Sequence, residues 1–154
     1  MSDEMIVALA KNGGVIQINF GSGFLREDAR EWYYTMDELR TAYLEQNGLD
    51  EDGDEADQFE KDYRIAHPYP YASLDNVVEV FEHVINLVGA EHVGIGSDFD
   101  GVGDSLPENM KDVSYYPALI EALLKREYSV DTIRAIMGGN LMRVWSEVEA
   151  YAKK

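Results

Sequence analysis

The sequence predicts an α/β protein in which short parallel strands alternate with helices. Two runs of closely spaced apolar residues, GVIQINF (14–20) and HVGIGS (92–97), are short and carry branched apolar side chains, which is typical of buried strands. Helical periodicity precedes, separates and follows the two runs, and this alternation is the pattern of an α/β fold. Two parallel strands alone leave sheet edges and apolar faces uncovered. The sequence therefore predicts part of a larger sheet or barrel.

The chain begins with a predicted helix that leads into the first strand. Ser2 precedes two acidic residues, which is the arrangement of a helix cap followed by anions in the first turn. Apolar residues keep helical spacing until the glycine pair at 13–14, which ends the helix. We expect the following strand to be covered on both faces and to end at Gly21.

A helical excursion over about residues 26–73 separates the two strands. Apolar and aromatic side chains at spacings of three and four predict an amphipathic helix over 26–46, whose aromatic stripe is interpreted as packing. The acidic segment 47–62 predicts a loop with an irregular helix. The HPYP segment (67–70) predicts extended backbone, because proline restricts its own backbone and that of the residue before it.

The remaining elements apart from the second strand are predicted to be helices. Ser73 caps a helix that has a wide apolar stripe and ends at Gly89. All 154 residues are expected to form a single unit. Three helices follow the second strand: one over 117–126, one over 130–137 that Ser129 caps and Gly138-Gly139 ends, and one over 141–152 that Asn140 caps.

The composition restricts the partners and the location of the protein. The 13 Lys and Arg residues against 30 Asp and Glu residues give a net charge of −17, which repels nucleic acid and anionic lipid surfaces. The chain has no cysteine, which excludes disulfides and thiolate metal ligands. No apolar stretch approaches the roughly 20 residues of a membrane span, and the acidic start does not resemble a signal peptide. The sequence predicts a cytoplasmic protein.

Two carboxylates follow the second strand, in the segment Asp98-Phe99-Asp100-Gly101. The carboxyl edge of a parallel sheet is where α/β folds place their catalytic groups. The same residues could instead cap the strand end through side-chain bonds to backbone N–H groups. The residues alone leave both interpretations open.

The D-x-D-G pattern also fits a magnesium-dependent phosphatase-type hydrolase. In such enzymes Asp98 would attack phosphorus, Asp100 would handle the proton, and both would help to hold the metal. This alternative is disfavoured because such motifs usually open a domain, whereas about ninety residues precede this one. A second apolar strand that ends in paired acids is also missing from the residues that follow.

Other metal sites fit the sequence poorly. The acids at 50, 52 and 54 have the spacing that opens a calcium loop, but Glu55 stands where that loop needs glycine. Lys61 occupies the position of its bidentate glutamate. The three histidines, at 67, 83 and 92, are too far apart in sequence to form an H-x-H or H-x-x-x-H pair.

The chain resembles the carboxyl-terminal portion of the membrane dipeptidases (renal dipeptidase, peptidase family M19). Three blocks in family order carry the resemblance: GGVIQINF, FEHVINLVGAEHVGIGSDFDGVGDSLPENMKDVSYYPALIEALLKREYS and IMGGNLMRVWSEVE. The resemblance implies a zinc-dependent hydrolase of dipeptides with a (β/α)8 TIM-barrel fold, in which two zinc ions share a bridging water. The two strands of this chain would be the last two strands of that barrel.

The resemblance also implies the site residues. Asp98 matches the family's active-site aspartate, which takes the proton of the attacking water and returns it to the leaving amine. Asp100 and Asn19 are candidates for shaping the mouth of the site.

The family's zinc ligands match no residue of this chain, so no metal ligand is assigned here. We therefore expect the chain to lack zinc and to be inactive alone. Its expected partners are a dipeptide substrate, the missing amino-terminal part of a barrel and a second copy in a homodimer. The alternative outside catalysis is an acidic interaction domain.

Overall fold

The structure, a computed structural model, describes residues 1–153. It confirms an α/β chain in which two parallel strands lie among helices. No helix in this range is long and apolar enough to cross a membrane. The elements are α1 (Asp3–Lys11), β1 (Ile16–Asn19), α2 (Ser22–Leu25), α3 (Glu27–Asn47), α4 (Asp54–Ala66), α5 (Leu74–Val88), β2 (Val93–Ser97), α6 (Tyr116–Lys125), α7 (Val130–Arg134) and α8 (Asn140–Ala152).

The two strands pair in parallel, as predicted, with one irregularity at their carboxyl ends. Ile18 lies opposite Ile95, but Asn19 lies opposite Ser97, so Gly96 is an extra residue in β2. A Cβ atom at Gly96 would overlap the Oδ1 atom of Asn19. The bulge and its glycine therefore provide the space that the Asn19 side chain occupies.

One face of the sheet packs on α5 and forms the apolar core. The Val, Ile and Phe side chains of this core each contribute about 1.5–3 kcal/mol by burial. Ser73 begins α5 with a reciprocal cap, because its hydroxyl accepts from the Asn76 N–H and its own N–H donates to the Asn76 side chain. The main buried residues of this layer are Ile18, Phe20, Val77, Val78, Phe81, Val84, Val93, Leu119, Leu123 and Ile136.

The opposite face of β1 is polar, so the expected covering of both strand faces is not observed within residues 1–153. The Gln17 side chain lies against Gly94, where an added Cβ would be 2.9 Å from the Gln17 Oε1 atom. Asn19 projects from the same face two residues later. The Gln17 Nε2 atom is buried and has no hydrogen-bond partner among the described residues. This polar face therefore carries a buried hydrogen-bond donor, the Gln17 Nε2 group, that is unsatisfied among the described residues.

The acidic segment 47–62, predicted as a loop with an irregular helix, contains a loop followed by a regular helix that extends beyond the segment. Helix α4 begins at Asp54, and the acids of its first turn interact favourably with the helix dipole. Aromatic contacts dock α4 on α3: Phe59 stacks on Tyr43, and Tyr63 packs edge-on against Trp32, each with ring centroids 5.2 Å apart. The high charge of this segment obscures the helical pattern in the sequence, and packing against α3 stabilises the helix.

The predicted helix stop at Gly138-Gly139 is confirmed as a kink, because Gly138 has a non-helical φ of 156° within the π-helical segment 135–139 that joins α7 to α8. The predicted cap at Asn140 is wrong, because Asn140 has helical backbone angles and is the first residue of α8. Its buried Nδ2 group donates to the carbonyl oxygens of Ala90 at 2.6 Å and Val93 at 2.7 Å. Asn140 thus fastens the carboxyl-terminal helix to the beginning of β2.

Arg143 strengthens the same attachment one turn later. Its guanidinium donates to the carbonyl oxygens of Gly13 and Glu91, each at 3.0 Å. These carbonyls precede β1 and β2 respectively, so α8 ties together the amino ends of both strands. The carboxyl ends of the strands remain available for chemistry.

We predict that Asn140→Ala lowers the free energy of unfolding by about 2–4 kcal/mol, because two buried carbonyl groups lose their donor. Urea unfolding followed by circular dichroism measures this change. The exposed Asn86 on α5 provides a matched control, and we expect Asn86→Ala to change stability by less than about 0.5 kcal/mol. Equal effects of the two substitutions would contradict the role given to Asn140.

Candidate active site at the carboxyl edge of the strands

Asp98 lies directly after β2 in an unusual backbone conformation. Ser97 has a φ of 55° and Asp98 a φ of 64°, so two consecutive residues other than glycine are left-handed. This conformation costs roughly 1–2 kcal/mol per residue, although aspartate tolerates it better than most. Strained backbone of this kind persists only where surrounding contacts enforce it, and it clusters at functional sites.

Contacts from three elements hold this turn. The Ser97 hydroxyl is hydrogen-bonded to the Tyr116 hydroxyl of α6 at 2.5 Å. The Asn19 Nδ2 group at the end of β1 donates to the Asp98 Oδ2 atom at 3.2 Å. Phe99 packs with its ring centroid 5.9 Å from that of Phe20 and 5.8 Å from that of Tyr116. The structure therefore brings together Asn19 and Asp98, two of the residues singled out in the sequence.

The Asp98 carboxylate does not act as a cap on the strand end. Its hydrogen bond within residues 1–153 comes from the Asn19 side chain, and no backbone N–H in this range donates to it. The side chain is half-buried and lies beside Gly101, where an added Cβ would overlap the Asp98 Oδ1 atom. A carboxylate oriented by an amide and partly open to water is suited to proton transfer.

Asp100 is placed differently from Asp98. It is exposed in the turn after β2, and its side chain makes no hydrogen bond to any residue that the structure describes. No other acidic or imidazole side chain joins it to form a ligand group in this range. Its assignment to the mouth of the site stays a prediction.

The part of the chain that the structure describes brings together no group of three His, Asp or Glu side chains able to hold a metal ion. The histidines lie apart: His83 contacts Asp3 at 2.8 Å, and His92 is hydrogen-bonded to the Gly14 carbonyl at 2.8 Å. His67 packs on the Tyr63 ring at 4.5 Å. A zinc ion therefore does not fit a site made from these residues alone.

A cleft of about 590 Å³ opens beside the Asp98 turn. The loop after β2 (101–105) forms one side, and residues of α2, α3 and α4 form the other. Tyr33 and Tyr34 of α3 line it with 53% and 63% of their surface exposed, which corrects the interpretation of the aromatic stripe as packing alone. The sequence signal for this cleft was the adjacent tyrosine pair, because two consecutive helical positions cannot both face one core.

Arg64 of α4 connects the helical excursion to the loop after β2. Its guanidinium lies over the rings of Trp32 at 5.1 Å and Tyr69 at 5.4 Å. It also donates to Glu60 at 3.0 Å and to the Asp104 carbonyl oxygen at 3.4 Å. Glu60, Tyr69 and Asp104 line the cleft. Because Arg64 contacts all three, it stabilises the shape of the cleft.

Tyr71 makes a second connection between the helical excursion and the loop after β2. The Tyr71 hydroxyl donates to the Asp104 carboxylate at 2.5 Å, and the Lys111 ammonium lies 4.4 Å from the centre of the Tyr71 ring. Burial and the hydrogen bond to Asp104 raise the pKa of Tyr71 to about 12. The hydrogen bond from Tyr71, together with the charge of Lys111, lowers the pKa of Asp104.

We predict that Tyr71→Phe lowers stability by about 1 kcal/mol at neutral pH, a value reduced for the exposure of Asp104. The contribution of Asp104 is present above its ordinary pKa of 3.8 and is lost as the pH falls through its lowered folded-state value. The contribution of Tyr71 is present below pH 10 and is lost as the pH rises towards about 12. The difference in free energy of unfolding between the parent and Tyr71→Phe should therefore become smaller at both acidic and alkaline pH.

Urea unfolding of both proteins at acidic, neutral and alkaline pH measures this difference. Tyr151→Phe is the matched control, because Tyr151 is exposed on α8, outside the cleft. A difference between the parent and Tyr71→Phe that does not change with pH would contradict the coupling of Tyr71 to Asp104.

Comparisons with known proteins agree with this architecture. The family described as membrane dipeptidase (peptidase family M19) matches residues 1–154. Dipeptidase aclJ of Aspergillus oryzae is 48% identical over 82 residues, which are 53% of this chain and 19% of that protein. An uncharacterized dipeptidase of Schizosaccharomyces pombe is 30% identical over 151 residues, or 97% of this chain and 27% of that protein. The chain thus spans about a quarter or less of the length of these relatives.

Solved structures of a probable dipeptidase and of a metallopeptidase are also similar to this chain. The probable dipeptidase PvdM of Pseudomonas aeruginosa superposes with a TM-score of 0.72 at 29% identity, over 97% of this chain and 41% of that one. A Rhodobacter sphaeroides metallopeptidase, liganded with a phosphinate mimic of the dipeptide L-Ala-D-Ala, gives a TM-score of 0.60 at 23% identity. That match covers 92% of this chain and 29% of the other, and it supports the fold alone.

Proposed function

This chain belongs to the membrane dipeptidase family, peptidase family M19, and from this membership we propose that it serves the hydrolysis of the peptide bond of dipeptides. The observation that carries the proposal is the Asp98 carboxylate, held at the carboxyl edge of β2 by a strained turn and by the Asn19 amide. Asp98 is the proposed catalytic residue. Asn19 is a positioning residue, because it acts through the Asp98 Oδ2 atom.

The proposed chemistry of Asp98 is proton transfer. The carboxylate accepts a proton from the water that attacks the scissile carbonyl, so that an O–H bond breaks while the new C–O bond forms. It then delivers this proton to the leaving nitrogen as the C–N bond breaks. One water is consumed, and two amino acids are released. Because Asn19 occupies Oδ2, the Oδ1 atom beside Gly101 is the proton acceptor in this proposal.

We propose that zinc, which the family implies, is not held by these residues alone. The described residues contain no group of three ligands, and each histidine has a structural contact elsewhere. The metal ligands would then come from chain that these 154 residues do not include. On this proposal the isolated chain is inactive.

The same reasoning supports a barrel in which β1 and β2 are the last two strands. The two-stranded sheet has open edges and one polar face on which the Gln17 Nε2 atom lacks a partner among the described residues. An exposed apolar stripe on α8, formed by Leu141, Trp145 and Val148, also needs a cover. An amino-terminal barrel part of the family would supply both, in line with the 41% coverage of the PvdM chain. The cytoplasmic location stays a prediction.

We expect dipeptide hydrolysis when the chain is co-expressed with the amino-terminal part of a barrel from this family. Asp98→Asn should lower kcat by about 10²–10⁴-fold, because the proton acceptor is lost. The exposed Asp37 on α3 offers a matched control, and Asp37→Asn should leave kcat unchanged. Hydrolysis that survives in Asp98→Asn would exclude Asp98 as the catalytic residue. A chain that never associates with the added part would favour the acidic interaction domain.

Metal analysis of the purified chain tests the zinc proposal separately. After dialysis against a zinc-free buffer, plasma mass spectrometry should detect well under one zinc ion per chain, since three convergent ligands are missing from the described residues. The co-expressed pair provides the positive control and should retain zinc. Two tightly held zinc ions on the isolated chain would contradict the proposal.

A further inference from the structure

We propose that the cleft beside Asp98 is a specificity pocket that binds an aromatic or large apolar side chain of the substrate. This inference rests on the proposed dipeptidase function and adds a preference that the family assignment does not contain. The pocket is named here the aromatic cleft, and its defining residues are Phe24, Tyr33, Tyr34, Tyr69, Gly101 and Val102.

The position of the aromatic cleft connects it to the catalytic carboxylate. Gly101 lines the cleft, and its N–H donates to the Asp98 carbonyl oxygen at 3.3 Å. An added Cβ at Gly101 would overlap the Asp98 Oδ1 atom, so this oxygen lies against a residue that borders the cleft. In this proposal, a dipeptide whose peptide bond lies at Oδ1 places a neighbouring side chain past Gly101 in the cleft.

The lining of the cleft is suited to apolar rings. Phe24 exposes 66% of its surface, and Tyr33 and Tyr34 are similarly open. Grouped exposed rings of this kind mark binding sites more often than ordinary surface. An aromatic guest gains from edge-to-face or offset contacts with these rings in addition to the burial of its apolar area. Val102 and the backbone of Gly21 form the apolar floor of the cleft, where an added Cβ at Gly21 would lie 3.1 Å from Val102.

The charges around the cleft disfavour an acidic guest. Arg64 is paired with Glu60 at 3.0 Å and stacks on two rings, so its positive charge is partly compensated. Arg30 is paired with Glu27. Asp104 adds a negative charge at the rim, and the whole chain carries a net charge of −17. A neutral apolar side chain therefore fits the cleft better than a carboxylate does.

The size and stiffness of the cleft support the same guest. Its volume of about 590 Å³ lies within the 300–1,000 Å³ typical of small-molecule sites. Contacts of Arg64 and of the Tyr71–Asp104 pair join its two sides. Walls that are already ordered reduce the entropic cost of binding.

Binding of matched dipeptides to the full chain tests the proposal without requiring turnover. The ¹⁵N-labelled chain is titrated with Ala-Ala, Ala-Phe and Phe-Ala, and affinities are read from chemical-shift changes. At least one ring-bearing dipeptide should bind about tenfold more tightly than Ala-Ala, because the cleft removes the apolar ring from water. Resonances of residues 101–103 should move during that titration.

The double substitution Tyr33→Ala/Tyr34→Ala should reduce the ring preference to within about twofold, because the two tyrosine rings that would contact the guest are removed. Both side chains are exposed, so the fold should persist, and circular dichroism checks it. Tyr151→Ala is the matched control for removing an exposed tyrosine outside the cleft, and it should keep the full preference.

Equal affinities for the three dipeptides, no binding of any of them, or a preference that survives in the double variant would each overturn the aromatic cleft. The proposed function fails in a different way, by hydrolysis that does not depend on Asp98 in the co-expressed enzyme. Ring preference with Asp98-independent hydrolysis would thus refute the function alone. Asp98-dependent hydrolysis without ring preference would refute the cleft alone.

Discussion

The close approach of the Asn19 side chain to β2 is the constraint on which the carboxyl edge depends. Because Gly96 has no side chain, the Asn19 amide can occupy the space where a Cβ atom would lie. The change of register at that point makes Ser97 the partner of Asn19. The chain must then turn sharply, and Ser97 and Asp98 take left-handed backbone angles. The same amide binds the carboxylate that the turn presents. A bulge is a recurrent way to aim a side chain, and here it aims Asp98, the proposed catalytic residue.

The two faces of the sheet differ in a way that links the fold to the family. The face towards α5 is closed by Val, Ile and Phe side chains, and it accounts for the stability of this unit. The other face carries Gln17 and Asn19 beside two glycines. A polar strand face with an orphaned amide suits the interior of a barrel at its active-site end better than a surface packed on helices. In the proposed barrel, this face would gain its partners from further strands.

The excursion between the strands determines the shape of the site more than its chemistry. Residues 26–66 supply two of the four rings of the aromatic cleft, Tyr33 and Tyr34. Arg64 and Tyr71 attach the excursion to the loop after β2, which also carries the turn at Asp98. Rigid strands therefore hold the carboxylate, while inserted helices shape the space beside it. This division is common in α/β enzymes, where loops and insertions vary specificity on a constant scaffold.

Local signals in the sequence determined the parallel strands, the Ser73-capped helix α5 and the position of Asp98 at a strand end, because apolar periodicity and caps act between near neighbours. Only the tertiary structure decided the rest. Asn140 follows two glycines and resembles a cap, but its partners lie 47 and 50 residues away. Helix α4 is hidden by its charge and depends on Phe59 stacking on α3. The left-handed turn and the cleft likewise arise from contacts between distant segments, which spacing along the chain does not encode.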